Sequence, residues 1–344
     1  MEKNIYLKGM NEVELKNICA NLNFPAFHGE QIYRWMYGKN CSDLNEMKNI
    51  PKNLLSILQK QYIVNTLKIE NKVKSKIDKT SKYLFKTYDN HHIESVSILD
   101  SNRHTICLSS QIGCSVDCDF CATGKMGIIR NLKIGEIIDQ LIAIKKDTNK
   151  PITNIVFMGM GEPFLNYSNV INSCKIFCDT KAFNLSYKRI TISTSGILPK
   201  IEKFIADKEK YKLAISLNAP NNEIRSKIIP INKKWNIEMI LESLEKYEFH
   251  KTTPIMFEYI MLKDFNDTSK HAVELAHFFS KSEYKINLIP FNEVGDKYSR
   301  SSNDAIDNFA KILNKNAPKL RVLVRWSKGE DIDAACGQLA TNNG

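Results

Sequence analysis

No stretch of the sequence approaches the roughly 18–20 consecutive apolar residues that a membrane-spanning helix needs. The opening residues, MEKNIYLKGMNEVELKN, hold no apolar segment of the secretory type. Internal repeats, low-complexity tracts and Pro- or Ser-rich linkers are all missing. Glycine (14) and proline (10) are sparse among 344 residues, which excludes a collagen-like fibre and argues against a disordered chain. Arginine is scarce too, at 8 of the 49 basic residues, the other 41 being lysine. These absences leave a cytoplasmic protein with no membrane association as the expectation.

What is present describes a globular chain, 43% hydrophobic and 25% charged, long enough for a sizeable core. Lys+Arg 49 against Asp+Glu 38 gives a net charge of +11, which suits a polyanion such as RNA. A composition rich in lysine, isoleucine and asparagine produces the same sum without any partner, so charge alone leaves both readings open. Nine cysteines in a cytoplasmic chain read as free thiols, metal ligands or catalysts.

Residues 1–65 read as helical. Val13, Lys16, Ile18 and Leu22 fall near one stripe, Ile32, Trp35 and Met36 cluster, and Pro51 opens a helix with Leu54, Leu55 and Leu58. SKYLFKTYD and IESVSILD flank Asn90-His91-His92 as a hairpin, in a stretch carrying Lys68, Lys72, Lys74, Lys76, Lys79, Lys82 and Lys86. From residue 104 short apolar runs alternate with amphipathic ones. The runs are His104–Ser109, Ile152–Met158, Arg189–Ser193, Leu213–Leu217, Ile255–Met261 and Ile286–Pro290, of the kind buried in a parallel sheet. Ile134, Ile137, Ile138, Leu141 and Ile142 have helical spacing, as do Ile306, Phe309, Ala310 and Leu313. Six such units predict an α/β barrel or partial barrel. One more apolar stretch and a polar tail follow.

Cys114, Cys118 and Cys121 have the spacing C-x3-C-x2-C in a loop directly after the first barrel strand. Three thiolates so close can hold three corners of a cubane iron–sulfur cluster. A closed site wants four ligands, and no fourth Cys or His lies nearby, so one corner stays open for a substrate, as S-adenosylmethionine (SAM) uses it in the radical SAM superfamily. The plainer alternative is a zinc site completed by a distant Cys or His. Polar groups then recur where strands end: Gly159-Met160-Gly161-Glu162-Pro163, Ser193-Thr194-Ser195-Gly196, Ser216-Leu217-Asn218 and Phe291-Asn292. Small residues let a backbone approach a ligand, and Glu162 can accept from an ammonium group. Each alone is also an ordinary turn or helix cap, but α/β barrels place their active sites at these strand ends. Of the remaining cysteines, Cys19, Cys41, Cys174 and Cys178 read as inert small hydrophobes. Cys107 lies inside the first barrel strand and Cys336 in DIDAACGQL near the C-terminus.

Together, the segments CLSSQIGCSVDCDFCATG, FMGMGEPFLN, ITISTSG, AISLNAPN, PINKKWNIE, NLIPFN and DIDAACGQL, with FHGEQIYRWMY near the start, resemble the RlmN family. These are radical SAM enzymes that methylate adenine C2 in 23S rRNA and in the tRNA adenosine next to the anticodon. The resemblance implies an α/β fold, a partial (β/α)6 radical SAM barrel with a small helical N-terminal accessory domain and hairpin. It divides the chain into an accessory domain over 1–65 with a candidate RNA-binding role, a basic hairpin connector over 66–100, the barrel over 101–325, and a tail over 326–344. It implies that Cys114, Cys118 and Cys121 hold one [4Fe-4S] cluster, and that Gly161, Glu162, Ser193, Ser216, Leu217, Asn218 and Asn292 contact SAM. Cys336 matches the cysteine that is S-methylated, Cys107 the second catalytic cysteine, and Glu94 a proton acceptor. Asn218 stands where the family usually has His.

The implied chemistry uses two molecules of SAM, one to methylate Cys336 and one to yield a radical that activates that methyl group. The methylene then joins adenine C2, and attack by Cys107 on the Cys336 sulfur forms a disulfide and frees methylated RNA. The resemblance further implies 23S rRNA and tRNA as partners, a flavodoxin-type electron donor and a monomer. Two alternatives are a Cfr-type adenine C8-methyltransferase and a non-catalytic zinc-containing RNA-binding protein.

Overall fold

The computed structural model describes residues 5–247, 254–279 and 283–341. Three helices lead: α1 (Glu12–Asn21), α2 (Phe27–Tyr33), which continues into a wide turn over Arg34–Gly38, and α3 (Lys52–Gln61). Asn11 caps α1 in a reciprocal pair, its side-chain oxygen accepting from Glu14 N at 3.0 Å while its own N–H donates to Glu14 at 2.7 Å. The buried stripe of α1 is Leu15 and Cys19, and Val13 is 64% exposed. The apolar spacing that included Val13 therefore misplaced the inner face, because the i, i+4 pair Leu15/Cys19 faces α2 instead.

A meander follows, β1 (Leu67–Lys74), β2 (Thr80–Thr87), β3 (His92–Asp100) and β4 (Arg103–Cys107), each antiparallel to the next. The hairpin around Asn90 is the β2–β3 turn, with Asn90 at φ +66°. The strand β1, LKIENKVK, has too little apolar alternation to be read from sequence, being exposed along most of its length. It forms a free edge of the sheet, and Lys68, Lys72 and Lys74 there discourage edge-to-edge pairing.

Beyond β4, a small hairpin of β5 (Gln111–Gly113) and β6 (Ile128–Asn131) brackets the one-turn helix α4 (Ala122–Lys125). The chain then alternates strand and helix: α5 (Ile134–Thr148), β7 (Asn154–Phe157), α6 (Tyr167–Cys178), β8 (Ile190–Thr194), α7 (Leu198–Ala206) and β9 (Lys212–Ser216). After α8 (Asn222–Ile228) and α9 (Ile237–Glu245) come β10 (Met256–Met261), α10 (Ser269–Phe279), β11 (Lys285–Pro290), α11 (Asn303–Asn316) and β12 (Arg321–Val324). All six apolar runs become strands, and the further apolar stretch becomes a seventh parallel one, β12.

The main sheet runs β1-β2-β3-β4-β7-β8-β9-β10-β11-β12, and from β4 onward every pairing is parallel. Four strand spacings separate β7 from β11, about 19 Å in a flat sheet. Yet Phe157 on β7 and Ile289 on β11 line one cavity, so the sheet curls around it. Thr105 on β4 and Arg325 just past β12 line a second cavity, but β4 and β12 do not pair. The result is an open barrel with a seam. Among the described residues no helix is long and apolar enough to cross a membrane.

The tail beyond β12 crosses that seam. Gly329 N donates to Asp78 at 2.9 Å, Asp331 accepts from Ser75 Oγ and Lys76 N at 2.7 Å each, and Lys82 reaches Asp333 O at 3.3 Å. Gly329 has φ +68°, and a Cβ there would lie 2.7 Å from Thr80 Cγ2, so only glycine lets the tail lie this close to β2.

Candidate active site

The cysteine loop is held by backbone geometry that few residues can supply. Gly113 ends β5 at φ +76°, and Cys114 N donates to Gly127 O at 2.7 Å. Asp117 turns the loop at φ +56°, and Cys121 N closes on Cys118 O at 3.1 Å before α4 begins. Beneath lies an apolar cluster that includes Val116, Phe120, Ile260, Ile289 and Phe291, with all three cysteines packed against it. Burial pushes the Cys114 thiol up to about 12 and holds Cys118 well above its ordinary value. Protonated thiols in a low-dielectric wall need a cation to become ligands, and metal binding displaces their protons.

The fit of a cluster rests on this donor set. Among the described residues no three His, Cys, Asp or Glu side chains converge as a single metal ion requires. A cubane does not ask for that convergence, since each thiolate meets its own iron corner. Cys114, Cys118 and Cys121 all line one cavity and leave its remaining side to other groups.

That cavity lies at the C-terminal ends of the parallel strands and includes Gly161, Glu162, Ser193, Ser216, Asn218 and Cys336. Leu217 and Asn292 are not in its wall. Leu217 is a buried core residue, whereas Asn292 donates from Nδ2 to Cys336 O at 3.1 Å. Glu162 is buried; one oxygen accepts from Phe164 N at 2.9 Å and the other from Ser195 N and Oγ at 2.7 and 2.8 Å. The Thr194 side chain also bonds this carboxylate, so its roughly four lone-pair sites are largely met within the fold. Gly159 and Gly161 line the cavity and also let two loops pack closely. A Cβ on Gly159 would lie 2.8 Å from Leu108 O, and one on Gly161 2.4 Å from Gln111 Cβ. Both therefore serve the close packing of the β7 and β4 loops.

Asn218 lies at φ +58°, and its Oδ1 accepts from Ile260 N at 2.9 Å. Left-handed backbone is tolerated by Asn and His several-fold better than by most residues, which explains how this position carries Asn in place of His. Two acceptors at the site lack partners: Glu258 Oε2, in the cavity wall, and Asn292 Oδ1, beside Cys336. Buried polar atoms left unpaired are costly, and a ligand with hydroxyl or amino donors such as SAM would satisfy them. Glu258 and the fully buried Arg225 were not recognised from sequence. Arg225 ties two strand ends, donating to Ser195 O at 2.7 Å and to Ser216 O at 3.0 Å. Glu258 lies 29 positions from Asn287 and Arg225 30 from Ser195, and neither belongs to a local motif.

The second cavity adjoins the first. Cys107 lies in it together with Arg103, Arg325, Trp326 and Lys328, and Cys336 lines both. The tail presents Cys336 through Ala122 N–Gly337 O at 2.8 Å, which joins the residue after Cys121 to the residue after Cys336, and through Thr123 Oγ1–Leu339 O at 2.5 Å. Both thiols are raised by burial, and Arg325 opposes the shift in each. All nine cysteines are free; Cys19, Cys41 and Cys174 are buried and Cys178 partly so.

Glu94 lines neither cavity. It is 5% exposed on β3, one oxygen paired with Lys82 at 3.1 Å and the other accepting from Ala340 N at 3.0 Å. In this arrangement it latches the tail. Glu94→Ala is expected to free Ala340 and strand the Lys82 charge, a loss of about 1.5–3 kcal/mol. Amide exchange over 335–341 should rise roughly ten- to hundred-fold, and unchanged exchange there would remove the latch. Of the hairpin lysines, Lys72 pairs with Asp147 and Lys82 with Glu94. Lys68, Lys74, Lys76, Lys79 and Lys86 are in no ion pair among the described residues.

Comparison with known proteins agrees with this geometry. The Radical SAM superfamily model matches residues 108–276, and the Ribosomal RNA large subunit methyltransferase N-terminal domain matches 5–64. A Buchnera aphidicola protein named "Dual-specificity RNA methyltransferase RlmN" is 43% identical, covering 97% of this chain and 93% of its own. A Thermosipho melanesiensis protein named "Probable dual-specificity RNA methyltransferase RlmN" is 40% identical over 95% of both chains. The crystal structure of a radical SAM methyltransferase from Sphaerobacter thermophilus superposes with a TM-score of 0.92 at 35% identity, over 97% of this chain and 99% of that one.

Proposed function

The chain belongs to the RlmN family of radical SAM RNA methyltransferases, and we propose that it methylates carbon 2 of adenine in 23S rRNA and tRNA by way of Cys336. The observation that carries this reading is that Cys336 lines both cavities, one shared with the cysteine triplet and the other with Cys107.

The cofactors are a [4Fe-4S] cluster and SAM; when bound, the cluster supplies the electron that opens the sulfonium of SAM. Cys114, Cys118 and Cys121 would hold it, and the Val116/Phe120 wall they pack against excludes water. Glu162, Ser193, Ser216 and Asn218 line the space for SAM, with Gly161 shaping the loop, Leu217 contributing backbone, and Asn292 bridging to the Cys336 carbonyl. Carbon 2 of adenine is electron-poor, so an ordinary displacement on SAM does not reach it, and the methyl group must pass through a residue that can face both cavities. Cys336 accepts that group on its sulfur and presents it to the base.

Glu94, whose carboxyl burial raises, takes up the carbon 2 proton when the adduct loses an electron. Cys107 completes the cycle. Its thiolate forms an S–S bond with Cys336 as the bond from sulfur to the methylene breaks, and the electron pair passes to the adenine side, which gains a proton to become the methyl group.

The N-terminal helices and the unpaired lysines of β1–β2 grip RNA phosphates. Electrons come from a flavodoxin-type carrier, and the enzyme works as a monomer in the cytoplasm, where its RNA substrates are made. RNA treated anaerobically with reconstituted enzyme, SAM and reductant is expected to yield 2-methyladenosine on nucleoside mass spectrometry. Finding 8-methyladenosine instead would reassign the target carbon.

A further inference from the structure

Arg325 follows β12 and is fixed by its backbone, Arg325 N donating to Leu288 O at 2.9 Å. Its guanidinium lines the cavity that holds Cys107 and Cys336. It is in no ion pair among the described residues, and its one side-chain contact is the weak Nη1 to Met158 Sδ at 3.7 Å. Arg225, the other arginine of the barrel interior, satisfies its donors on three carbonyls and Asn232. A half-buried guanidinium with five donors and no ion-pair partner needs anions nearby, and Cys336, Glu258 and Cys107 are the groups that act on it.

The charged and titratable groups around this cavity are Asp100 on β3, Arg103 on β4, Arg325 and Lys328 beyond β12, and Cys336 on the tail. Glu258 on β10 faces Cys336 from the first cavity. Of these groups, only Cys336 and Arg325 act on Cys107, and Arg325 alone favours its thiolate. For Arg325 itself, Cys336 is the largest influence, ahead of Glu258 and Cys107.

We propose that Arg325 is the positioning residue of the release step, directing its guanidinium at the Cys107–Cys336 pair so that the sulfur that attacks does so as a thiolate. The assignment rests on the dual-cysteine reading above and adds the group that makes attack feasible inside a buried cavity. The proton leaves Cys107 for solvent in the cavity, and the negative charge stays beside Arg325 until the S–S bond forms.

The test is the pH profile of Cys107 alkylation by iodoacetamide in anaerobic, cluster-loaded enzyme, followed peptide by peptide in mass spectrometry. In Arg325→Gln the midpoint is expected to rise by about one unit, slowing alkylation at neutral pH about tenfold. Arg325→Lys keeps the charge and should recover most of the shift. An unmoved midpoint in Arg325→Gln overturns the proposal. So does a midpoint raised as far in Arg325→Lys as in Arg325→Gln, which would mark packing as the cause.

In single turnover, Arg325→Gln should accumulate the covalent protein–RNA species, as Cys107→Ala does. Weaker RNA binding with a salt slope lower by about one, and no adduct, would make Arg325 a phosphate ligand and overturn the proposal. If Cys107→Ala itself forms no adduct, the dual-cysteine reading fails, and the alkylation profile still decides what Arg325 does.

Discussion

Cys336→Ala is expected to lower methyl transfer to RNA by roughly 10⁴-fold or more, the scale of losing a group that carries the reacting atoms. The substitution removes one sulfur and nothing that shapes the tail. The Ala122–Gly337, Thr123–Leu339 and Glu94–Ala340 contacts do not involve the Cys336 side chain. Iron and sulfide content should therefore match the unsubstituted enzyme. Cys107→Ala should have the complementary phenotype: the RNA becomes joined to the protein and stays there, visible as a band on a denaturing gel that nuclease removes. The two outcomes follow from placement, since Cys336 faces both cavities and Cys107 only the second. Normal turnover of either variant in anaerobic assays would refute the relay.

Gly113→Ala should be nearly as damaging, by a different route. At φ +76° an alanine is strained, and its Cβ would lie 1.9 Å from Gly127 O. That oxygen is the acceptor of Cys114 N, so the clash displaces the hydrogen bond that orients the first cluster ligand. Strain and displacement together should cost roughly 3–5 kcal/mol. After anaerobic reconstitution, iron per chain should fall several-fold. Gly127→Ala is the internal control. Its φ is +67°, but nothing lies within 4 Å of the added Cβ, so the cost is only about 1–2 kcal/mol and the cluster should load. Equal iron in both variants would show that loop geometry does not govern assembly.

The parts of the site that were legible in the sequence are those whose meaning is local. The spacing of Cys114, Cys118 and Cys121 is a property of eight consecutive residues, and the polar strand ends follow apolar runs by one or two positions. The parallel strands were readable because burial on both faces leaves short apolar runs. Strand β1 was not, because an edge strand needs no apolar face, and the β5–β6 hairpin was not, because Gln111–Gly113 is too short to show alternation. Glu258, Arg225 and Arg325 carry no motif; each matters through contacts that only the folded chain makes. The glycines after β7 lie in the cavity wall, but their close packing against the β4 loop could not be read from sequence. Glu94 shows the same limit: its position on β3 was visible, but its hold on Ala340, 246 positions away, was not.

The seam between β4 and β12 bears on how a polymer can be a substrate at all. An internal nucleotide has no loose end to thread, so a closed tunnel would exclude it. A cleft spanned by a strap held only through non-covalent contacts can admit such a nucleotide sideways and then settle back over it. The strap happens to carry the reactive sulfur, so covering the guest and arming the chemistry become one movement. An enzyme built this way keeps its sulfur within reach of both chambers only while the strap is seated.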